Sequence, residues 1–210
     1  MAFDPQKLAE CAALIATTGK ELHQRGWTPA TSSNFSMRLD EEHCAITVSG
    51  KHKGKLRAED IMVVDLDGNA LDQRRPSAET GLHTQLYRWQ ENLQAVLHTH
   101  SPIATVVSMQ TPADSISFEG YELQKAFAGQ TTHENRLELP IFDNSQDIPA
   151  LAAKVERWLT TRPECPAYLI RGHGVYTWGR TMEECERHLE ALEFLLQCHL
   201  HVMSLNVHKH

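Results

Sequence analysis

The chain has 210 residues, 41% of them hydrophobic, with 27 acidic against 20 basic side chains and a formal charge of −7. That length supports one sizeable domain over residues 1–210, and the acidic balance argues against a general nucleic-acid binder, which needs concentrated positive charge against phosphate. The first five residues lack a basic, apolar leader pattern and no segment approaches the roughly 18 uncharged apolar residues of a membrane span, so the expectation is a soluble, cytoplasmic protein with no membrane partner.

Asp4-Pro5 followed by Leu8, Cys11, Ala12, Leu14, Ile15 and Leu22 gives an N-cap, a proline in the first turn and apolar residues at helical spacing, closed by Gly26. The runs 34–39, 44–48 and 61–66 read as three antiparallel strands, with charged or Asp-Gly-Asn turns beside them. Pro76-Ser77 is expected to open a helix to about Gln90, and Ala95 to His98 is a short apolar strand. A short helix follows Pro102 to Ser108, then a strand near Ser115 to Phe118, a segment at 121–127 and a strand at 137–142. Leu151, Val155, Trp158 and Leu159 mark a helix over 147–161. Two strands, 167–170 and 175–178, flank the turn Arg171-Gly172-His173-Gly174. Thr181 and Glu184 form a capping box that opens a long helix to about Leu205. Strands in the middle with helices between and around them indicate an α+β or three-layer αβα domain.

Five cysteines form no C-x-x-C pair and give no disulfide framework, whereas the 13 histidines are a high count. His199, His201, His208 and His210 crowd the C-terminus. His98 and His100 stand two apart on a strand, so both project from one face with Cα atoms roughly 6.5 Å apart, and one metal ion can accept both nitrogens. The apolar run before them puts them at the strand's C-terminal end, where open αβ sheets present ligands. An isolated pair of this kind is equally compatible with surface or satisfied core histidines. His173, between two small neighbours at a tight turn, adds a third imidazole, although packing on Tyr176 or Trp178 would also explain it. Three histidines with an open fourth position are the arrangement of a catalytic zinc site.

Three loops, 31–36, 49–54 and 76–78, set hydroxyls and backbone amides beside regular elements, where they can cradle an anion, with Lys51 or Lys53 adding charge. The candidate contacts are Ser32, Ser33, Asn34, Ser49, Gly50, Lys51 and Ser77. Plain turn chemistry is the alternative for each loop. Glu79 lies near a helix start, where the dipole alone would account for it. Glu119 and Glu122 sit in an aromatic-rich stretch where burial would raise a carboxyl into the range useful for proton transfer.

Taken in order, Thr31-Ser-Ser-Asn-Phe-Ser, Val48-Ser-Gly, Pro76-Ser-Ala-Glu79, His98-Thr-His100-Ser and Arg171-Gly-His173-Gly-Val resemble the class II aldolase/adducin-like family over almost the whole chain. The stretches 118–125 and 139–144 are similar to the branch of that family that dehydrates a phosphorylated methylthio-ketose. The resemblance implies an αβα sandwich around a largely antiparallel sheet and a homotetramer with sites near subunit interfaces. It further implies one zinc per subunit on His98, His100 and His173, and a substrate phosphate in the three loops. Glu122 then matches the acid/base of related dehydratases, and Glu79 the metal-proximal glutamate of the sugar-phosphate aldolases. The rivals are an aldolase or 4-epimerase on the same site, since fold does not fix the reaction, and a non-catalytic adducin-like scaffold, against which the three histidines argue.

Overall fold

The computed structural model describes residues 3–207; His208 and His210 lie outside the described residues. Eight strands form one sheet in the order β3-β2-β1-β4-β8-β7-β6-β5. They are β1 (Asn34–Arg38), β2 (His43–Thr47), β3 (Ile61–Asp65), β4 (Ala95–Thr99), β5 (Ser115–Phe118), β6 (Leu137–Phe142), β7 (Ala167–Ile170) and β8 (Gly174–Gly179). Every pairing is antiparallel except β6 with β7.

Among the described residues, five α-helices cover the sheet: α1 (Pro5–Gln24), α2 (Thr80–Trp89), α3 (Pro102–Gln110), α4 (Ile148–Thr160) and α5 (Met182–Val207). Side-chain alternation along β1 sorts them into layers. Ser36 meets His83 and Tyr87 of α2, whereas Phe35 faces Gly19 of α1. Thr18 of α1 and Arg25, just past its end, bond Glu186 and Glu190 of α5, α3 packs on α5, and α2 packs on α4. The result is the expected three-layer αβα sandwich. Strands buried on both sides read as unbroken apolar runs, as Ala95-Val96-Leu97 does. Among the described residues, no helix is long and apolar enough to cross a membrane.

The helix ends follow the capping chemistry of the sequence. Asp4 accepts from the Gln6 amide, Ser101 from Ala104 and Asp147 from Ala150, and Gly26, at φ 78°, closes α1. Thr181 accepts from the Glu184 amide, but the Glu184 carboxylate reaches back to Arg180 N–H, one residue before the position the capping box requires. The helix expected from Pro76 begins only at Thr80. Pro76 bridges Val48, and the Arg75 carbonyl accepts from the Ser49 amide, so the chain there is tied into a ladder and cannot turn helical.

The centre of the sheet is its most constrained contact. At Gly174 a Cβ would lie 2.0 Å from the Thr99 carbonyl oxygen, inside any tolerable separation. Gly174→Ala is therefore expected to lower stability by about 3 kcal/mol or more, the upper end for overpacking a core, read as a fall in the urea midpoint. An unchanged midpoint would show that β4 and β8 can part without loss.

Candidate metal centre and anion cleft

β4 delivers His98 at its end and His100 just beyond it, and the β7–β8 turn delivers His173. The rings converge, with centroids 4.5 Å apart for His98 and His100, 4.5 Å for His100 and His173, and 5.0 Å for His98 and His173. His98 is wholly buried, and its Nδ1 lies 3.0 Å from the Val175 carbonyl. A carbonyl only accepts, so Nδ1 carries the proton and Nε2 turns a bare lone pair inward. That lone pair faces His173 Nε2 at 3.3 Å.

Glu79 completes the group. Its Oε2 lies 3.3 Å from His98 Nε2 and its Oε1 2.9 Å from His173 Nε2. Although it is the N-cap residue of α2, its side chain makes no capping bond, and it turns into the site, where the Tyr176 hydroxyl and the Asn34 amide donate to Oε2 at 3.1 and 2.8 Å. One ligand atom from each of Glu79, His98, His100 and His173 lies within 4.8 Å of all the others, so the cluster can hold a metal ion. The chemistry of the set fits: a tetrahedral ion with bonds of about 2.0–2.1 Å sets its ligand atoms roughly 3.3 Å apart, and lone pairs crowded this closely without a cation repel. Burial lowers His98 well below its ordinary pKa and His100 to about 4, so both are neutral ligands at pH 7. Burial alone would raise the Glu79 carboxyl, but the hydrogen bonds it receives from His173 and the Asn34 amide hold it well below the usual range.

The turn that carries His173 is anchored by Arg171, whose guanidinium donates to the carbonyls of Ser108 and Thr111 and to Asp143. Gly172, at φ 66°, hydrogen-bonds Ser108 Oγ through its amide. The histidine is thereby fixed by backbone geometry and not by packing on Tyr176. Tyr176 instead stacks on His98, with centroids 4.0 Å apart and an interplanar angle of 14°.

Beside the cluster opens a cleft of about 300 Å³, with His100, His173 and Glu79 in its wall. The three hydroxyl-bearing loops meet there, and Ser32, Ser33, Asn34, Ser49, Gly50 and Ser77 all line it. Ser33 holds a left-handed φ of 73°, and its buried hydroxyl has no partner. A non-glycine residue held at positive φ with an unpartnered buried hydroxyl is a combination that clusters at functional sites.

Lys51 is not in this wall. Its ammonium pairs with Asp60 at 2.8 Å on the surface. The lining cation is Lys53, which the turn 53–55 carries inward until it is 1% exposed. Its Nζ donates to the carbonyls of Thr31 and Lys51 at 3.2 and 2.6 Å, and burial lowers its pKa to about 8. The loop 144–146 also lines the cleft through Asn144, Ser145 and Gln146. Nothing in the linear sequence brings this segment between β6 and α4 to residues 31–34.

Glu122 is not brought to the cluster within its own chain. It opens the turn 122–126, pairs with Lys125 and, at 3.5 Å, with His133, and is fully exposed. The expected burial is absent because Phe118 alone of the aromatic stretch is deeply buried, and in the turn after Gly120, at φ 82°, Glu122 and Leu123 face outward while Gln124 faces inward. The Lys125 ammonium lowers the Glu122 carboxyl, opposite to the expected rise. Arg187 and His188 of α5 bond the backbone of Ala126 and Ala128 and pin this segment against α5. Glu119 is likewise exposed.

Comparison with known proteins agrees with this geometry. The chain is 57% identical over 205 residues to methylthioribulose-1-phosphate dehydratase of Marinobacter nauticus, covering 97% of this chain and 99% of that protein. It is 56% identical over 193 residues to methylthioribulose-1-phosphate dehydratase of Pseudomonas aeruginosa, covering 91% and 94%. Among solved structures, L-fuculose-1-phosphate aldolase from Thermus thermophilus superposes with a TM-score of 0.75 at 26% identity over 95% of this chain and 98% of that one. Residues 13–200 match the class II aldolase and adducin N-terminal domain, and the chain belongs to that family.

Proposed function

We propose that the chain removes water from 5-methylthioribulose 1-phosphate to give 2,3-diketo-5-methylthiopentyl 1-phosphate, a lyase reaction of methionine salvage. The observation that carries this is 56–57% identity, over more than nine-tenths of each chain, to proteins named for that dehydration. The aldolase reading rests on 26% identity and a shared fold, and fold does not fix the reaction.

The site suits a phosphorylated ketose because one cleft joins the imidazole cluster to the hydroxyl-lined loops. Lys53, Ser32, Ser33, Ser49, Gly50 and Ser77 hold the phosphate, which places the reacting carbons at the cluster and contributes through orientation, whereas the Asn34 side-chain amide is taken up by Glu79, Ser77 and His83. His98, His100 and His173 would hold a zinc ion, which would supply Lewis acidity to the ketose. Glu79, ionised and facing the same point, is the carboxylate that takes the C3 proton. Departure of the C4 hydroxyl as water needs a proton donor, and Glu122, ionised beside Lys125 in its own chain, takes that role by acquiring a proton in the site it completes. Since Glu122 lies outside the cleft of its own chain, it acts on the site of a neighbouring copy in a homotetramer.

Purified protein is expected to turn over 5-methylthioribulose 1-phosphate with loss of water, to lose that activity on chelation and to regain it with zinc. Aldehyde release from this substrate or from fuculose 1-phosphate would replace the dehydratase with an aldolase. Lys53→Met removes a charged hydrogen bond worth about 2 kcal/mol, so KM should rise roughly thirtyfold with kcat little changed. In wild type, the Lys53 ammonium loses its proton as the pH passes about 8, so KM should climb above that pH and not below it. Glu122→Gln and His98→Ala should each be inactive alone, and co-assembled tetramers should recover activity, because one copy retains the histidine and its neighbour the glutamate. No recovery on mixing would place the acid within one chain.

A further inference from the structure

Behind Glu79 a line of polar side chains runs between β1 and α2, where the surrounding packing is apolar. Asn34 Nδ2 lies 2.8 Å from Glu79 Oε2, Asn34 Oδ1 meets His83 Nε2, His83 Nδ1 lies 2.7 Å from Ser36 Oγ, and Ser36 Oγ lies 2.8 Å from the Tyr87 hydroxyl. All four residues behind Glu79 are buried, and His83 and Ser36 are wholly so. Buried polar groups on this scale persist only when each is satisfied.

The carboxylate decides which way every hydrogen points. An ionised carboxylate only accepts, so Asn34 must present its NH₂ to Glu79 and its carbonyl oxygen to His83. His83 must then carry a proton on Nε2. Burial lowers its pKa to about 3, so the ring is neutral and Nδ1 is bare. The Ser36 hydroxyl donates to that nitrogen, and Ser36, with its only hydrogen engaged, accepts from Tyr87. Each hydrogen is turned toward Glu79, and the Tyr176 hydroxyl arrives from the other side with the same sense. Aligned donors polarise one another and stabilise the negative end.

We infer that His83 is a positioning residue, whose Nε2–H tautomer sits in the middle of a one-way hydrogen-bond chain from Tyr87 to Glu79 and holds the Glu79 carboxylate oriented against the metal cluster. His83 touches none of the four residues of the cluster; it bonds Asn34 and Ser36, and it acts on Glu79 through Asn34. The inference rests on the dehydratase reading only for the step that Glu79 performs.

The direct test is the ¹⁵N spectrum of the histidine rings in the zinc-loaded protein, with His83 assigned by its loss in His83→Gln. A protonated Nε2 with a bare, hydrogen-bonded Nδ1 is expected; a protonated Nδ1 or an imidazolium overturns the chain. Two variants test the consequence. His83→Gln keeps a donor where Nε2 stands and should stay close to wild type. His83→Leu keeps the volume but offers no donor, and kcat should fall about 10–100-fold, the scale for groups that support a metal site from behind, with zinc affinity falling in chelator competition and KM steady. Equal loss in both folded variants would reduce His83 to a packing role and overturn the inference. If His83→Leu does not fold, the wild-type spectrum still decides. Absence of dehydration by wild type would sink the reaction assignment, and the ring spectrum would then decide for or against the hydrogen-bond chain on its own.

Discussion

The site depends on the pairing of β4 with β8 at the middle of the sheet. His98 pairs with Tyr176 and Thr99 with Val175, and the next step of the ladder brings Gly174 so close to Thr99 that no side chain fits. That contact sets how near the turn at 171–173 comes to the end of β4. The distance between His98 and His173 is therefore fixed by backbone hydrogen bonds and not by flexible side chains. A site built on central strands inherits their rigidity, and a metal-binding geometry tolerates little drift.

Glu79 shows how one position can serve two structures. As the residue before α2 it occupies an N-cap, yet it leaves the helix amides without its carboxylate. Its side chain is instead drawn into a partly desolvated cluster where Asn34 and Tyr176 donate to it. The lost cap costs about 1 kcal/mol locally. The offset comes from charge-assisted hydrogen bonds, each worth about 1.5–3 kcal/mol. Local preference yields here to the tertiary site, which is the pattern expected where function resides.

Much of this was legible in the sequence because period and chemistry coincide. Alternation on a short apolar strand put His98 and His100 on one face, glycine neighbours marked His173, and capping residues placed most helix ends. The failures have physical causes. Lys51 and Lys53 differ by two positions in an irregular loop, where no period tells inward from outward, and a single 3₁₀ turn decides it. Pro76 resembles a helix opener, but a bridge to Val48, distant in sequence, holds it extended. The burial expected of Glu122 followed from aromatic neighbours, whereas in the turn after the left-handed glycine at 120 it is Gln124, and not Glu122, that faces inward. His83 was invisible because a buried histidine on a helix has no linear signature apart from its partners on another strand.

The four residues of the cluster are drawn from positions 79 to 173 and from three separate pieces of the fold: the start of α2, the end of β4 and the β7–β8 turn. A cation bound there is a cross-link as well as a reagent, joining one helical layer to the sheet. Since the unfolded chain offers no such convergent set, free metal shifts the folding equilibrium by mass action, adding about 1.4 kcal/mol for every tenfold excess over its dissociation constant. Metal supply in the surroundings thus becomes a component of conformational stability. A mutation far from the cluster that is tolerated when metal is plentiful becomes damaging when it is scarce.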